Sequence, residues 1–427
     1  MKFSKIFGAA MLAAAVASAS ATVHFYDGFE TGTTGSPIDA TIWNGQTSGT
    51  DMTSQAVVAE SGSFFNTAAV EIFVAPAAGT KMAYTPPATV NGRFRRFGNI
   101  TPSIDTSTSV AVFSCQFYDA FTASGAGNSR NFLVVEDRAT DYDRLSGLNN
   151  LIAMGQFNSY SANVQLITMN GGTNQVIAEV ARRYMGRILF ITGVTPGWVA
   201  TGVDDPATTE VENIRRSLGW HNLTMVYGAT EVEYYVDGVR TFYFTHNRPQ
   251  TWDSFALAAN ESSPSPVWYD EVYAESFSPG TVRVHVGLQD YVGDPTTIPV
   301  SVELIDSASN STLFENLFMD TRGFVTVTAP ATGTYSVRVK ASHWLSKLVV
   351  GAPISSNGNY GLRVSLLNGD VDGDNEVGGS DLSEVSTAFL SSTGDPNFSE
   401  AADLDGDGEV GSSDLSIIST NFLLSGE

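Results

Sequence analysis

Cysteine is almost missing from this chain. Cys115 is the one thiol in 427 residues, so no disulfide can close within the molecule. Stability must come from buried cores, and from metal wherever a core is small. The alternation of VAVFSCQFYDAF around Cys115 predicts a strand, with the thiol a small buried hydrophobe rather than a nucleophile. Positive charge is scarce as well. Lys and Arg number 22 against 45 Asp and Glu, a formal net charge of -23. Nucleic acid and anionic membrane would repel such a chain, and neither is expected as a partner. Long apolar runs are lacking except at the start. In MKFSKIFGAAMLAAAVASASA, Lys2 and Lys5 precede an apolar run over residues 6–17 and then small residues. This is the layout of a secretory signal over residues 1–21, cleaved near Ala19 or Ala21. The run is short for a bilayer and no later stretch is apolar enough to cross one. No membrane span is expected, and the mature chain is expected to be secreted, extracellular or associated with a cell surface.

What is present is mainly β texture. Turn signals and β-branched or aromatic runs dominate residues 22–279. In GWHNLTMVYGATEVEYYVDGVRTFYF, alternating strands are predicted over 222–227, 231–236 and 239–244, the last two joined by the turn dipeptide Asp237-Gly238. Further strands are predicted over 93–97, 110–118 and 132–135, and VIAEVARRYMG near Val176 predicts one or two helical turns. A segment of this size and texture suits one large β-sandwich of the jelly-roll type. Residues 280–367 change to a compact alternation. TVRVHVGL sets Val282, Val284, Val286 and Leu288 on one face, and PVSVELID, GFVTVTA, GTYSVRVKA and YGLRVSLL follow. Five or six short strands predict a small immunoglobulin-like or transthyretin-like sandwich. Its His343 and Trp344 read as edge-of-core residues, and the domain itself as a spacer.

Two resemblances attach to these segments. FYDGFETG followed by Trp43, the GWHNLTMVY and YYVDG meander, and the closing VWYDEVYAESF resemble the laminin-G/concanavalin-A-like sandwiches. That resemblance implies first and last strands lying side by side. GTYSVRVKASHW resembles the last strands of carboxypeptidase-regulatory-like domains, which are non-catalytic.

Residues 368–427 contain no Lys or Arg but fourteen Asp and Glu, more than half of the chain's acidic excess. DVDGDNEVGGSD and, thirty-three residues later, DLDGDGEVGSSD each crowd four aspartates into twelve positions. Asp370, Asp372, Asp374, Glu376 and Asp381 fall at places 1, 3, 5, 7 and 12 of the first. Asp403, Asp405, Asp407, Glu409 and Asp414 fall at the same places of the second. EF-hand loops wrap calcium with this spacing, taking side chains from places 1, 3, 5 and 12 and a main-chain carbonyl from place 7. Hard carboxylate oxygens suit Ca²⁺, and two ions are expected. Place 6 needs positive φ, which Gly408 adopts freely and Asn375 next best. Place 9 is glycine in both loops, so water is the expected ligand there. After each loop, Leu382, Val385, Phe389 and Leu390, and again Leu415, Ile418, Phe422 and Leu423, keep a helical apolar phase. Fifteen of twenty-one residues are identical between the repeats beginning at Asp370 and Asp403. Like charges about 4 Å apart repel by ~1 kcal/mol in water and ~4 kcal/mol at an effective dielectric of 20. Folding of the tail is therefore expected to be coupled to metal.

Loop, helix, linker, loop and helix resemble a type I dockerin. GDVDGDNEVGGSDLSEVSTAFL and ADLDGDGEVGSSDLSIISTNFL match its two segments, with departures at Asn375 and at the place-9 glycines. The resemblance implies a cohesin-like protein module as partner, bound in either of two orientations. It implies contacts from Gly379-Ser380 with Ser386-Thr387, and from Ser412-Ser413 with Ser419-Thr420.

Dockerins usually tether polysaccharide-degrading enzymes, which raises hydrolysis on the large domain. A retaining glycosidase needs two carboxyls about 5–5.5 Å apart. The Glu-x-Asp-x-x-Glu run of laminarinase-type enzymes is not found before Thr281. The nearest groups are Glu231 with Glu233, and Asp270, Glu271 and Glu275; distant pairs such as Glu136 with Glu210 are invisible to spacing. His24, His221 and His246 are isolated and read as structural. Sugar recognition instead uses exposed aromatic faces beside polar groups. Trp198, Trp252 and Trp268, in Gly-, Pro- and Ser-rich surroundings, are the candidates, while Trp43 and Trp220 are assigned to the core. The sequence thus reads as a secreted modular protein, carrying a glycan-directed sandwich and a calcium-folded docking tail. Two alternatives stand beside it: an O-glycosyl hydrolase on the same scaffold, and a structural cell-surface protein.

Overall fold

The computed structural model describes residues 21–39, 41–43, 57–65, 71–85, 94–120, 130–137, 150–157, 166–168, 174–176, 185–190, 197–200, 217–259 and 266–427. The signal segment lies outside these. Among the described residues strands dominate, and no helix is long and apolar enough to cross a membrane. Two compact units divide at Pro279 and Gly280.

In the first unit two antiparallel sheets share one core. The larger sheet runs, in spatial order, Val239–Thr245, Glu231–Val236, Gly219–Tyr227, Val110–Asp119, Val267–Phe277, Met82–Thr85 and Val57–Ala59, with Thr22–Asp27 also paired to Val267–Phe277. The second runs Gly197–Ala200, Met185–Phe190, Asn150–Phe157, Arg130–Asp137, Thr251–Ala259 and Phe94–Asp105. The first strand of the chain therefore lies beside the last of the unit. The expected meander forms, and Asp237 and Gly238 turn it with φ of 50° and 84°, the double positive φ of a tight hairpin. Strand alternation sends Phe113, Cys115 and Phe117 from one sheet toward Leu133, Val135, Ile152 and Met154 from the other, all fully buried. Trp43 joins this core, its indole donating to Asp27 Oδ2 at 2.6 Å while Asp27 Oδ1 accepts from the Phe29 amide. That pair closes the short loop after the first strand.

Two aromatic candidates need correction here. Trp252 and Trp268 have no exposed surface. Trp252 sits edge-on to Phe113 and Tyr227, and Trp268 is enclosed by Phe64, Tyr84 and Tyr118. Their turn-rich sequence neighbours mark the strand ends, whereas the side chains themselves are covered by partners distant in sequence. Trp198 belongs to the strand Gly197–Ala200, and its side chain lies outside the described residues. Trp220 is partly buried, its indole donating to Ala75 O. The predicted helix near Val176 is flanked by the strands Asn174–Val176 and Met185–Phe190, and residues 177–184 lie outside the description.

The second unit begins with a small sandwich of seven strands. A three-stranded sheet orders Phe324–Thr328, Thr281–Leu288 and Gly358–Leu366, the last two parallel. A four-stranded sheet orders Ser311–Phe318, Pro299–Asp306, Gly333–Ala341 and Trp344–Ile354. Val282, Val284 and Val286 face Val300, Val302, Leu304, Val337 and Val339 in one core. Trp344 is fully buried in that core rather than at its edge, and His343 stacks on it at 3.9 Å. The acidic tail closes the unit with two helices, α1 (Gly379–Ala388) and α2 (Ser412–Asn421). Its core gathers Val371, Val377, Val385, Ala388, Leu404, Val410, Ile417 and Ile418, together with Leu345 from the sandwich.

Burial holds the Cys115 thiol far above its ordinary pKa. Cys115 should therefore stay unmodified by a thiol-specific reagent in the native protein and react at once in denaturant; rapid native labelling would contradict this packing.

Candidate metal centre

Each loop is organised by its place-12 aspartate. Asp381 Oδ1 accepts from the amides of Val371 at 2.7 Å and Asp372 at 3.2 Å, and Oδ2 accepts from Gly378 at 2.7 Å. Asp414 repeats the pattern with Leu404, Asp405 and Gly411 at 2.7, 3.3 and 2.7 Å. Both side chains are fully buried and sit in the first turn of α1 or α2, where a carboxylate complements the helix dipole. One residue thus caps the helix and anchors the start of its own loop. Asp372 and Asp374, like Asp405 and Asp407, turn the chain by accepting the amide two residues on. Asn375 and Gly408 take φ of 69° and 89° at place 6, as the spacing requires.

The carboxylates converge. Asp370, Asp372 and Asp374 bring oxygens within 4.8 Å of one another, as do Asp403, Asp405 and Asp414. Glu376 and Glu409 are exposed and lie outside both groups, and Asp381 and Asp407 complete the loops without joining them. The donors are carboxylate oxygens without sulfur or nitrogen, a set that fits a hard divalent cation. The crowding shows in Asp403, whose pKa is pushed up to about 6 by burial and by the neighbouring Asp414 and Asp405 charges.

The repeats also brace each other. Leu390 N donates to Val410 O at 2.8 Å, and Leu423 N donates to Val377 O at 2.8 Å, so each helix ends on the other loop. This corrects the apolar phase read from sequence. Val385 and Ile418 are buried, but α1 stops at Ala388 and α2 at Asn421. The following Phe389 and Phe422 are partly open, and Leu390 and Leu423 are 82% and 80% exposed at φ of 61° and 66°. Leu382 is open as well. The chain must reverse there to reach the opposite loop, and the reversal turns these side chains outward. Ser380, Ser386, Thr387, Ser419 and Thr420 are exposed and Ser413 is half-buried. Ser386, Thr387 and Thr420 donate back to the carbonyls of Leu382, Ser383 and Ser416.

The sandwich is more than a spacer, because it holds this tail. Gly369 N and Asp370 N donate to His343 O, and Leu345 N donates to Leu367 O. Val292 N donates to Asp405 O at 2.7 Å. Gly406, at φ of 73°, lies so close to Tyr291 that a Cβ would sit 2.2 Å from its ring. Asn375 Oδ1 accepts from Ser346 N at 2.8 Å, a bond that Gly408 at the same place of the second loop has no side chain to make.

Of the carboxylates considered for hydrolysis, Glu231 and Glu233 share one strand and Asp270, Glu271 and Glu275 another. Glu233 and Glu275 share a cross-strand row through Val226 and Val112, three strand spacings or about 14 Å apart. Paired glycosidase carboxyls stand about 5–10 Å apart. Glu233 accepts from Tyr235 OH, and Asp270 accepts from the amides of Ala77, Ala78 and Glu271. Glu136 is buried in the second sheet, and Glu210 lies outside the described residues. His221 is tied to Asp237 at 2.7 Å and His24 to Pro102 O and Ser276. One cluster had no sequence signal. Tyr26 and Tyr273 stack at 4.4 Å and both donate to Glu271, whose strand bulges after Asp270. Tyr26 is 46% exposed.

Residues 368–423 match the family model of the dockerin type I domain. No curated protein matches the chain. Among solved structures, a type II cohesin–X-dockerin complex from Acetivibrio cellulolyticus, a C-terminal interface mutant, is 20% identical over 34% of this chain and 96% of that chain, with a TM-score of 0.29. The Bacillus licheniformis beta-glucanase is 12% identical over 60% and 97%, at 0.28. The CBM2 module of the evolved Dit of Lactobacillus casei BL23 phage J-1 is 10% identical over 61% and 98%, at 0.32.

Asp403 has a folded-state pKa above the ordinary carboxylate value of 3.8. Its contribution to the metal-free tail is then full below about pH 4 and is lost as pH rises through about 6. Metal binding requires the ionised form. Melting of the chelated protein should show the tail more stable at pH 5 than at pH 7, with the gain from added calcium larger at pH 7. The opposite order would contradict the crowding.

Proposed function

We propose that this is an exported modular protein whose calcium-loaded tail docks onto a cohesin-like module, displaying a glycan-directed sandwich. The observation that carries the docking half is the paired loop geometry, six buried or crowded carboxylates in two groups, within a segment that matches the dockerin type I domain. Two calcium ions are the cations best suited to them, one per loop, with main-chain carbonyls of Glu376 and Glu409 and a water completing each set. The face offered to the partner comprises Ser380, Ser386 and Thr387 on α1 and Ser413, Ser419 and Thr420 on α2. The exposed Leu382, Leu390 and Leu423 extend it with apolar area. The two faces are near copies, which supports docking in either of two orientations. Exchanging Ser386 and Thr387 together for Arg should leave cohesin binding nearly intact. Adding the same change at Ser419 and Thr420 should abolish it in calorimetry, as should chelator alone. Loss from the first pair by itself would refute the two-fold reading.

The glycan half rests on the exposed Tyr26–Tyr273 stack with Glu271 between the two hydroxyls, an aromatic face beside fixed polar groups. On a polysaccharide panel, Tyr26→Ala should remove whatever retardation the native protein shows in affinity electrophoresis. Retardation unchanged by the substitution would exclude this surface.

A further inference from the structure

The two loops agree at every liganding place of the sequence, yet they sit in different electrostatic surroundings. Asp370 is fully buried, and its Oδ2 receives the ammonium of Lys340, a residue of the sandwich strand Gly333–Ala341. That nitrogen also donates to Ser342 O at 3.0 Å and Trp344 O at 2.7 Å, so its three protons are all placed. The hairpin carrying it is fixed to the loop, since His343 O accepts from Gly369 and Asp370 and Ser346 N reaches Asn375. In the second loop, the partners of Asp403 among the described residues are backbone amides, Gly406 on Oδ1 and Gly408 on Oδ2, both at 3.0 Å. Among the described residues Lys340 is the cation ion-paired with a loop carboxylate. The tail has no Lys or Arg of its own, so such a charge has to be lent by the neighbouring domain.

We infer that Lys340 makes the two loops unequal, acting as a built-in counter-ion that lowers calcium affinity in the first loop while the second fills first. This inference rests on the calcium reading above. An ammonium held on a liganding carboxylate favours the charged loop when no metal is there, and it repels the divalent ion that the same carboxylate receives. One unit charge facing two at about 6 Å, even at the dielectric of water, amounts to about tenfold in affinity. Lys340 also supplies the link by which the sandwich senses the first loop, because filling that loop weakens the hold of Asp370 on the hairpin.

The test is calorimetric titration of the full chain with calcium chloride. Asp405→Ala leaves the first loop to be measured, and Asp372→Ala leaves the second. The first-loop site should be about tenfold weaker than the second-loop site. Lys340→Gln, placed on the Asp405→Ala background, should strengthen the first-loop site by about the same factor, and Lys340→Arg should not. A merely structural lysine would show the reverse sign, since its loss would loosen the loop and weaken binding. Equal affinities in the two single-loop proteins, or unchanged or weaker binding with Gln, would overturn the role of Lys340 with calcium binding intact. If Lys340→Gln disturbs the sandwich melting transition, the comparison of the two single-loop proteins decides by itself. Absence of any calcium heat in the wild-type chain would instead remove the calcium reading on which the inference stands.

Discussion

Mutual repulsion among aspartates is the constraint that shapes the second unit. Four of them within twelve residues can be tolerated only if something else is gained by gathering them, and the structure shows two such gains before any ion is considered. Asp381 and Asp414 each collect three amide protons that would otherwise be left unsatisfied at a loop entry and a helix start. Asp372, Asp374, Asp405 and Asp407 turn the chain by accepting the amide two residues ahead, and Asp370 and Asp403 accept amides from further round their loops. The loops are thus preshaped by hydrogen bonds, while their net charge still favours a cation.

Reciprocity strengthens that arrangement. Because Leu390 is tied to Val410 and Leu423 to Val377, neither repeat completes its fold without the other. The buried core between them is small, ten side chains including one from outside the tail. Leu345 is that outsider, and with Tyr291, His343 and Ser346 it makes the sandwich a structural part of the tail's surroundings. Domain boundaries read from composition separated these pieces, since charge changes sharply at residue 368. Packing joins them.

Some features were legible in the sequence because their chemistry is local. Place-by-place spacing located both loops, the left-handed positions at Asn375 and Gly408, and the helices that follow. The DG hairpin and the valine alternation of the small sandwich were equally plain, each depending on neighbours two to four residues apart. What escaped was non-local. Trp252 and Trp268 looked exposed from their flanking turns, but residues up to about two hundred positions away cover them, such as Phe64 over Trp268. The apolar phase ran past the true helix ends, because the halt at Phe389 and Phe422 is imposed by pairing with the opposite loop. Lys340 lies thirty residues before the carboxylate it neutralises and carries no motif. The Tyr26–Tyr273 stack depends on the first strand meeting the last.

The entry into the tail has one more implication. Only residues 367–369 separate the strand Gly358–Leu366 from Asp370, which opens the first loop, and their backbone is spoken for by His343 and Leu345. A tether of free residues lets its cargo sweep a volume and swivel on its mooring. Here there is no slack: the sandwich and the docking helices form a stiff bracket, so anything gripped by the helices inherits a set bearing relative to the sandwich, and reach is exchanged for aim.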